Sequence, residues 1–278
     1  MKQRTIERMR IAEYEIRSIV TGSLRLRTQA SRGAGPFSLV DPHGRVEVVT
    51  RALLITGPGG NFVIDAGPGV RYTAVERETW GIVNAVDLAG GLRRAGVDPD
   101  SIDLLVLTHL HPDHAGGAFV EDGEAIRPAL RRARVFLQES NLSLARRGGE
   151  LDGYRSSEVV GFDGCDGILL DGPAEIAPGI RAFVTDGHTT GMQGIVIEGE
   201  GECLIAAADL FPTVSHLRLS GSCEHDRDPQ RLDRERLDLF EEALTRDAWL
   251  FVYHDPRHVA IRLGGTPERP CVREERSF

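Results

Sequence analysis

The run Thr-His-Leu-His-Pro-Asp-His-Ala-Gly-Gly, from Thr108 to Gly117, constrains the fold of this chain more than any other feature. It places three histidines and one aspartate within six residues, directly after an apolar stretch (102–107) with the character of a buried strand. Imidazole and carboxylate groups are the ligands that zinc and related divalent metals accept. The run therefore predicts a metal-binding loop at the end of a strand.

The number of candidate ligands in this loop predicts two metal ions. His109 and His111 alternate along the end of the strand and can reach one ion. Asp113 and His114 lie beyond the turn at Pro112 and can reach a second ion. A histidine-rich surface loop is the alternative, but such loops seldom place these ligand types after a buried strand.

Gly116 and Gly117 end the run. Because glycine tolerates close contact and unusual backbone torsions, we expect both features here, at the start of a helix.

Two further candidate ligands follow later apolar stretches. His188 comes after 181–185, in the turn Asp-Gly-His-Thr-Thr-Gly, whose glycines let the imidazole point into a cleft. It can complete a three-histidine set with the first two histidines of the loop. Asp209 ends the very apolar run 203–208, and a carboxylate at the end of a buried strand is costly unless it is paired or bound to a metal. We therefore expect Asp209 to bridge both ions.

The last candidate ligand is His254, which ends the apolar run 250–253. It can join Asp113 and His114 on the second ion. His258 lies four residues further on and is its competitor for this position.

Other polar and aromatic residues have less specific roles. Asp65 ends the run 62–64, and two interpretations stay open: it orients a ligand histidine, or it caps a turn. Tyr253 and Phe211 are expected either to pack in the core or to shape a pocket. Three histidines in polar or turn-rich surroundings are expected at surface or substrate-side positions: His43, His216 and His225.

The composition bounds the class of protein. The chain has 278 residues, 41% of them hydrophobic, and its sequence contains neither a linker nor a repeat. We therefore expect a single domain over 1–278. A net charge of −9 argues against nucleic acid as a partner. No stretch resembles a secretory signal or a membrane span, which predicts a cytoplasmic protein without a membrane partner. The four cysteines lack CxxC spacing and are expected to be ordinary thiols. The oligomeric state is left open.

Apolar runs alternating with turn residues predict a layered α/β fold. The runs 52–56 and 61–65 predict a hairpin across Gly57-Pro58-Gly59-Gly60. Helices are predicted over 86–95, 140–147 and 228–248. An apolar stripe on the last helix comprises Leu232, Leu237, Phe240, Ala243 and Leu244. Further strands are predicted over 14–26, 102–107, 134–138, 167–170, 180–185, 194–198, 203–208 and 250–253.

Taken together, these residues resemble the metallo-β-lactamase-fold hydrolases. The matching elements, in the order of that family, are Asp65-Ala66-Gly67, His109-x-His111-x-Asp113-His114, Asp186-Gly187-His188-Thr189, Asp209 and His254. The resemblance implies an αββα sandwich, in which two mixed β-sheets lie face to face with helices on the outer faces. It also implies two divalent ions, zinc first, with iron or manganese as alternatives. One ion is assigned to His109, His111 and His188, the other to Asp113, His114 and His254, and Asp209 bridges them.

Within that family the chain is most similar to N-acyl-homoserine-lactone lactonases. This similarity rests on Ala-Asp-Leu-Phe-Pro-Thr at 208–213 and Trp-Leu-Phe-Val-Tyr-His-Asp-Pro at 249–256. Two features depart from the family pattern. Asp186 stands where many members have proline, and 37–42 replaces a glycine-rich segment, which is expected to reshape the substrate pocket.

The resemblance implies that a bridging hydroxide opens a small-molecule lactone or related ester, with Asp113 passing a proton to the leaving oxygen. The chain has no Gly-x-Ser-x-Gly element that would supply a serine nucleophile instead. Three other functions stay open. They are a phosphotriesterase or glyoxalase II-like thioester hydrolase, a mononuclear iron enzyme like the persulfide dioxygenases, and a non-catalytic binding protein.

Overall fold

The computed structural model describes residues 8–27, 44–123, 125–148, 153–218 and 226–278. The segment 37–42 and two of the polar histidines, His43 and His225, lie outside these residues. In the described ranges, no helix has both the length and the apolar character needed to cross a membrane.

The first part of the chain forms one sheet and a small hairpin. In chain order, its strands are β1 (Met9–Ile11), β2 (Tyr14–Arg27), β3 (Arg45–Gly57), β4 (Gly60–Ile64), β5 (Ile82–Ala85), β6 (Leu104–Val106), β7 (Phe119–Asp122), β8 (Ala125–Pro128), β9 (Arg134–Gln138) and β10 (Gly167–Leu170). Strands β7 and β8 pair with each other as the hairpin. The other strands form a sheet in the order β1-β2-β3-β4-β6-β9-β10, with β5 added to β2. Strands β1 to β4 are antiparallel, whereas β4, β6, β9 and β10 are parallel.

The second part of the chain forms the second sheet. Its strands lie side by side in chain order: β11 (Ala174–Ala177), β12 (Ile180–Thr185), β13 (Met192–Gly199), β14 (Glu202–Ala206), β15 (Trp249–Phe251), β16 (Ala260–Thr266) and β17 (Arg269–Arg276). Neighbouring strands are antiparallel except for the parallel pair β14 and β15. Both large sheets are therefore mixed.

The described residues form six α-helices. They are α1 (Ala74–Thr79), α2 (Leu88–Arg94), α3 (Pro112–Ala115), α4 (Glu139–Gly148), α5 (Ser156–Asp163) and α6 (Pro229–Thr245). Helices α2, α4 and α5 contribute buried side chains to the core outside the first sheet. Helix α6 does the same for the second sheet.

A third apolar core lies between the sheets, because side chains alternate along each strand. On β3, Leu53 and Ile55 face the second sheet, whereas Leu54 faces the helices. On β13, Ile195 and Val196 divide in the same way between the inner core and α6. This layering confirms the αββα sandwich.

The predicted hairpin and helices are confirmed, with shifted bounds. The turn between β3 and β4 joins antiparallel strands. Helix α2 begins only after Asp87, whose carboxylate accepts a hydrogen bond from Gly90 N at 2.6 Å, and ends before Gly96 at φ +75°.

One member of the predicted stripe on α6 is wrong. Leu237 is 36% exposed. Leu239 is buried instead, in the same cluster as Leu232, Phe240 and Ala243. The residues of the buried face recur every three or four positions along the helix, and Leu237 falls outside this spacing.

Candidate metal centre

The candidate ligands lie at one edge of the sandwich because they follow strands that point the same way. The histidine loop follows β6, which is parallel to β4, and Asp65 follows β4. Asp209 and His254 follow the parallel strands β14 and β15. His188 follows β12, which runs in the direction of β14 because β13 is antiparallel to both. The first sheet thus supplies the loop, and the second supplies the three later residues.

Three buried histidines form the first set. Nδ1 of His111 lies 3.0 Å from Nε2 of His109 and 3.1 Å from Nε2 of His188. Ligand nitrogens bound at about 2.0–2.1 Å around one tetrahedral zinc ion lie about 3.3 Å apart. The three nitrogens therefore converge as they would on a shared cation.

Asp113, His114 and His254 form the second set. Nε2 of His254 lies 3.3 Å from Asp113 Oδ2 and 3.3 Å from His114 Nε2. Asp113 Oδ2 lies 3.8 Å from His114 Nε2. The side chain of Asp113 is 23% exposed, more than those of His114 and His254 at 0% and 7%.

Asp209 lies between the two sets. Its Oδ2 is 3.3 Å from His188 Nε2, and its Oδ1 is 3.2 Å from both His114 Nε2 and His254 Nε2. Although Oδ1 is buried, none of the described residues donates it an aligned hydrogen bond. A buried carboxylate oxygen without a donor is costly. A cation between Oδ1 and the two histidines would satisfy it, so the donor set fits divalent metal ions.

The backbone before Asp209 is also unusual. Ala208 has φ +48°, in the left-handed region that side chains other than glycine rarely adopt. Asp65 has φ +57°. Such conformations cluster at functional sites, where the surrounding structure maintains them.

The second ring nitrogen of four of the histidines has a fixed partner. Nδ1 of His114 lies 2.9 Å from Asp65 Oδ2, which decides between the two open roles of Asp65: it orients a histidine of the centre. The partners of the other three rings are Thr108 Oγ1 for His109, Asp226 Oδ1 for His188 and the Val49 carbonyl for His254, at 3.0, 2.7 and 2.9 Å. These partners set the tautomer, so that the other nitrogen presents its lone pair to the centre.

Asp226 and Val49 are two partners that were not predicted from the sequence. Asp226 lies far beyond His188 in the chain and follows no apolar run, and Val49 acts through its carbonyl. A backbone acceptor has no side-chain signal, so only the folded arrangement identifies it.

The electrostatics divide the cluster into neutral and charged groups. Burial, together with the neighbouring histidines, lowers the pKa of His109 well below its usual range and that of His111 to about 3. Burial also lowers the pKa of His114, but Asp209, Asp113 and Asp65 outweigh it and raise that pKa well above its usual value. Burial raises the pKa of Asp209, yet His114 and His254 hold it well below the usual range. His109 and His111 are therefore neutral beside an ionised carboxylate, as metal binding requires, whereas His114 would release a proton when a metal binds.

Other residues of interest lie outside this cluster. His258 pairs with Asp255 and Glu275, with Nδ1 3.0 Å and Nε2 3.2 Å from their carboxylates, so it does not compete with His254. Phe211 is buried in the core between the second sheet and α6. Tyr253 is also buried and stacks on the His114 ring, with centroids 4.2 Å apart.

Gly116 and Gly117 allow the close contact that was expected of them. A β-carbon on Gly116 would lie 2.2 Å from the Pro68 carbonyl oxygen, and one on Gly117 would lie 2.3 Å from that of Ala66. The expectation of unusual torsions was wrong, because Gly116 is helical at φ −59°. The short helix α3 also begins earlier than predicted, at Pro112, since proline suits the first position of a helix.

Comparison with known proteins agrees with this architecture. The family model of the metallo-beta-lactamase superfamily matches residues 45–254, which include every candidate ligand. The chain therefore belongs to the metallo-beta-lactamase superfamily, a family of metal-dependent hydrolases that bind divalent metals.

Similar sequences and structures include lactonases. An N-acyl homoserine lactonase of a Bacillus species is 28% identical over 109 residues, 39% of this chain and 38% of that protein. The alignment thus spans well under half of the lactonase. A probable metal-dependent hydrolase from Staphylococcus aureus has a TM-score of 0.85 at 22% identity, covering 96% of this chain and 98% of the other. A dizinc quorum-quenching lactonase, AidC, has a TM-score of 0.78 at 17% identity, covering 98% and 97%. At these identities the two structures show a shared fold.

Proposed function

We propose that this protein is a dinuclear metal-dependent hydrolase that opens the ring of a lactone, with N-acyl-homoserine lactones as the first substrate class to test. The position of Asp209 carries the proposal. One of its oxygens faces His188, and the other faces His114 and His254, so a single carboxylate touches both candidate ligand sets. A carboxylate placed to reach both sets favours a centre for two ions over a centre for one.

In the proposed site, His109, His111 and His188 hold one ion and Asp113, His114 and His254 hold the other, with Asp209 shared. When bound, two divalent ions of this kind supply hydroxide at neutral pH and polarise a carbonyl. Zinc is the first candidate because the donors are imidazole nitrogens and carboxylate oxygens.

The chain's own contribution to the reaction centres on Asp113. Its carboxylate is more exposed than those of Asp65, Asp209 and Asp226, at 23% against 1%, 13% and 2%. It therefore reaches both the centre and a molecule entering it. In lactone opening, the hydroxyl of water adds to the acyl carbon, the bond to the ring oxygen breaks, and Asp113 carries the remaining proton to that oxygen.

The support for a lactone comes from the relatives. The matched Bacillus proteins are N-acyl homoserine lactonases, although the alignment spans only 38% of their length. The structurally similar AidC is described with a product, an acylated homoserine. The fold alone does not select among esters, thioesters and phosphotriesters, so the substrate needs a direct test.

The test combines elemental analysis of the purified protein with a lactone-opening assay on short- and long-chain homoserine lactones. We expect two metal ions per chain and ring opening that stops with a chelator and returns with Zn²⁺. Asp209→Ala should abolish turnover and lower the metal content. Glu121→Ala, which removes an exposed carboxylate on β7, is the matched control and should behave like the parent.

Each contrary result would reject a different part of the proposal. Two metals with turnover only of thioesters or phosphotriesters would refute the lactone and retain the hydrolase. One iron per chain with oxygen consumption would refute the dinuclear centre. Parent-like turnover of Asp209→Ala would refute the ligand assignment.

A further inference from the structure

Helix α3 carries two of the candidate ligands but is too short to be stable by itself. It contains four residues, Pro112 to Ala115, and short isolated helices are marginal because nucleation is costly. Neither Asp113 nor His114 can therefore be held in place by helix formation alone. Contacts from outside α3 must fix its position.

Two tyrosine hydroxyls make such contacts on successive carbonyls of α3. The hydroxyl of Tyr72 donates to the Pro112 carbonyl at 3.3 Å. The hydroxyl of Tyr253 donates to the Asp113 carbonyl at 3.2 Å, while its ring stacks on His114 at an interplanar angle of 15°. The two tyrosines lie in loops that belong to different sheets: the loop of Tyr72 follows β4 of the first sheet, and that of Tyr253 follows β15 of the second.

Tyr72 is itself held by a buried ionic network. The Arg155 guanidinium lies 4.3 Å above its ring and donates to the Arg71 carbonyl at 2.9 Å. Glu158, fully buried, accepts from Arg155 and Arg71 at 3.1 and 3.0 Å. Buried ion networks of this kind add little net stability, and their best-attested role is to specify one arrangement.

The segment that contains Tyr72 packs closely on the glycines at the end of α3. A β-carbon on Gly116 would lie 2.5 Å from the Tyr72 hydroxyl oxygen, and one on Gly69 would lie 2.7 Å from the Gly117 α-carbon. The segment before Tyr72 thus packs directly on the residues that follow the ligand loop.

We infer that Tyr72 and Tyr253 are positioning residues for the second metal ion, because they fix the helix that presents Asp113 and His114. The inference rests on the proposed two-metal site. It predicts that the hydroxyls set the affinity for the second ion and leave the first ion, held by His109, His111 and His188, unaffected.

The experiment measures stepwise metal binding. The full chain is stripped with a chelator and titrated with Zn²⁺ in competition with a chromophoric chelator. Tyr72→Phe and Tyr253→Phe keep the rings and remove only the hydroxyls. We expect each to weaken the second ion by about tenfold or more, as loss of a supporting hydrogen bond does at other metal sites, while the first ion binds as in the parent.

Tyr14→Phe is the matched control. The Tyr14 hydroxyl also donates to carbonyls, those of Pro58 and Pro178 at 2.9 and 2.7 Å, but at the opposite end of the strands. It should lower thermal stability and leave both metal affinities unchanged. Because the two test variants act on different contacts, a folding defect in one does not remove the test.

The contrary outcomes are distinct. Parent-like second-ion affinity in both test variants would overturn the inference and leave the proposed function intact. Equal weakening of both ions would also overturn it, since that is the effect of general loosening. A parent chain that binds a single ion would overturn the dinuclear centre and the inference together.

Discussion

At the scale of single residues, the histidines of the centre are held by partners of different charge. The carboxylates of Asp65 and Asp226 are the partners of His114 and His188. The partner of His109 is a hydroxyl, and that of His254 is a backbone carbonyl. Both carboxylates are almost fully buried. A carboxylate beside the ring nitrogen that faces away from the centre raises the basicity of the nitrogen that faces it. The metal is then bound more tightly.

This pairing predicts that similar substitutions affect different ions. Asp65→Asn should weaken the ion at His114, and Asp226→Asn the ion at His188, each by about 10–100-fold. Chelator competition measures both affinities. Each variant is the control for the other, and weakening of the same ion by both would contradict the two-site assignment.

The thiols are predicted to differ in reactivity. Burial, with a smaller contribution from Asp166, raises the pKa of Cys165 to about 11, and burial raises that of Cys203. At pH 8 about one Cys165 thiol in a thousand is then ionised. Among the three cysteines that the structure describes, exposed Cys271 should be alkylated first by iodoacetamide, as mass spectrometry of digests would show. In denaturant the difference should vanish, and its persistence there would contradict burial as the cause.

At the residue scale, the candidate ligands and Asp65 could be predicted from the sequence, but most of the residues that support the ligands could not. Asp209 and His254 are recognisable because each interrupts an apolar run at its end. Asp226 lies in a polar stretch, and Tyr72 and Glu158 act through contacts between segments that are distant in sequence. Neither periodicity nor spacing contains that information.

At the scale of elements, the close packing of α3 predicts a costly glycine substitution. Gly116→Ala should destabilise the fold by about 1–3 kcal/mol, because its β-carbon meets the Pro68 carbonyl, a backbone atom that cannot move independently. Urea unfolding measures the effect.

The control is Gly164→Ala, at the end of α5. Its β-carbon would find ordinary contacts at 3.5 Å, at φ −92°. It should be neutral or stabilising by up to about 1 kcal/mol. Equal destabilisation by both substitutions would contradict the packing argument.

One strand that was not predicted from the sequence has a clear physical reason. Strand β17 is the edge strand of the second sheet, next to β16, and it is mostly exposed and rich in Arg and Glu. Such a strand lacks the apolar run on which the other strand predictions depended. It forms because β16 pairs with it along its length.

At the scale of the whole molecule, metal removal should lower thermal stability. Metal present at about 1,000 times its dissociation constant adds about 4 kcal/mol to a fold that binds it only in the native state. For a domain of about 150–250 residues this corresponds to roughly 10 °C in Tm. Calorimetry with and without a chelator measures the shift, and Asp209→Ala should show a smaller one. An unchanged parent Tm would contradict the centre.

The fold class could be predicted at this scale because the candidate ligands follow successive strands in the order of the metallo-β-lactamase family. That the chain forms one domain stays a prediction. Recognition of a lactone also depends on residues beyond the metal centre. The segment 37–42, which is expected to reshape the substrate pocket, lies outside the described residues.

Each sheet is formed by one continuous part of the chain, and this has a consequence for biosynthesis. A chain emerges from the ribosome N-terminus first, so His109 and His111 are made long before their partners in the second sheet. The three-histidine set is complete once His188 has emerged, whereas Asp113 and His114 must await His254. For the proposed centre, the order of translation thus favours loading of the first ion before the second. A chain cut short before β15 would leave the ribosome with the residues of only one of the two proposed sites complete.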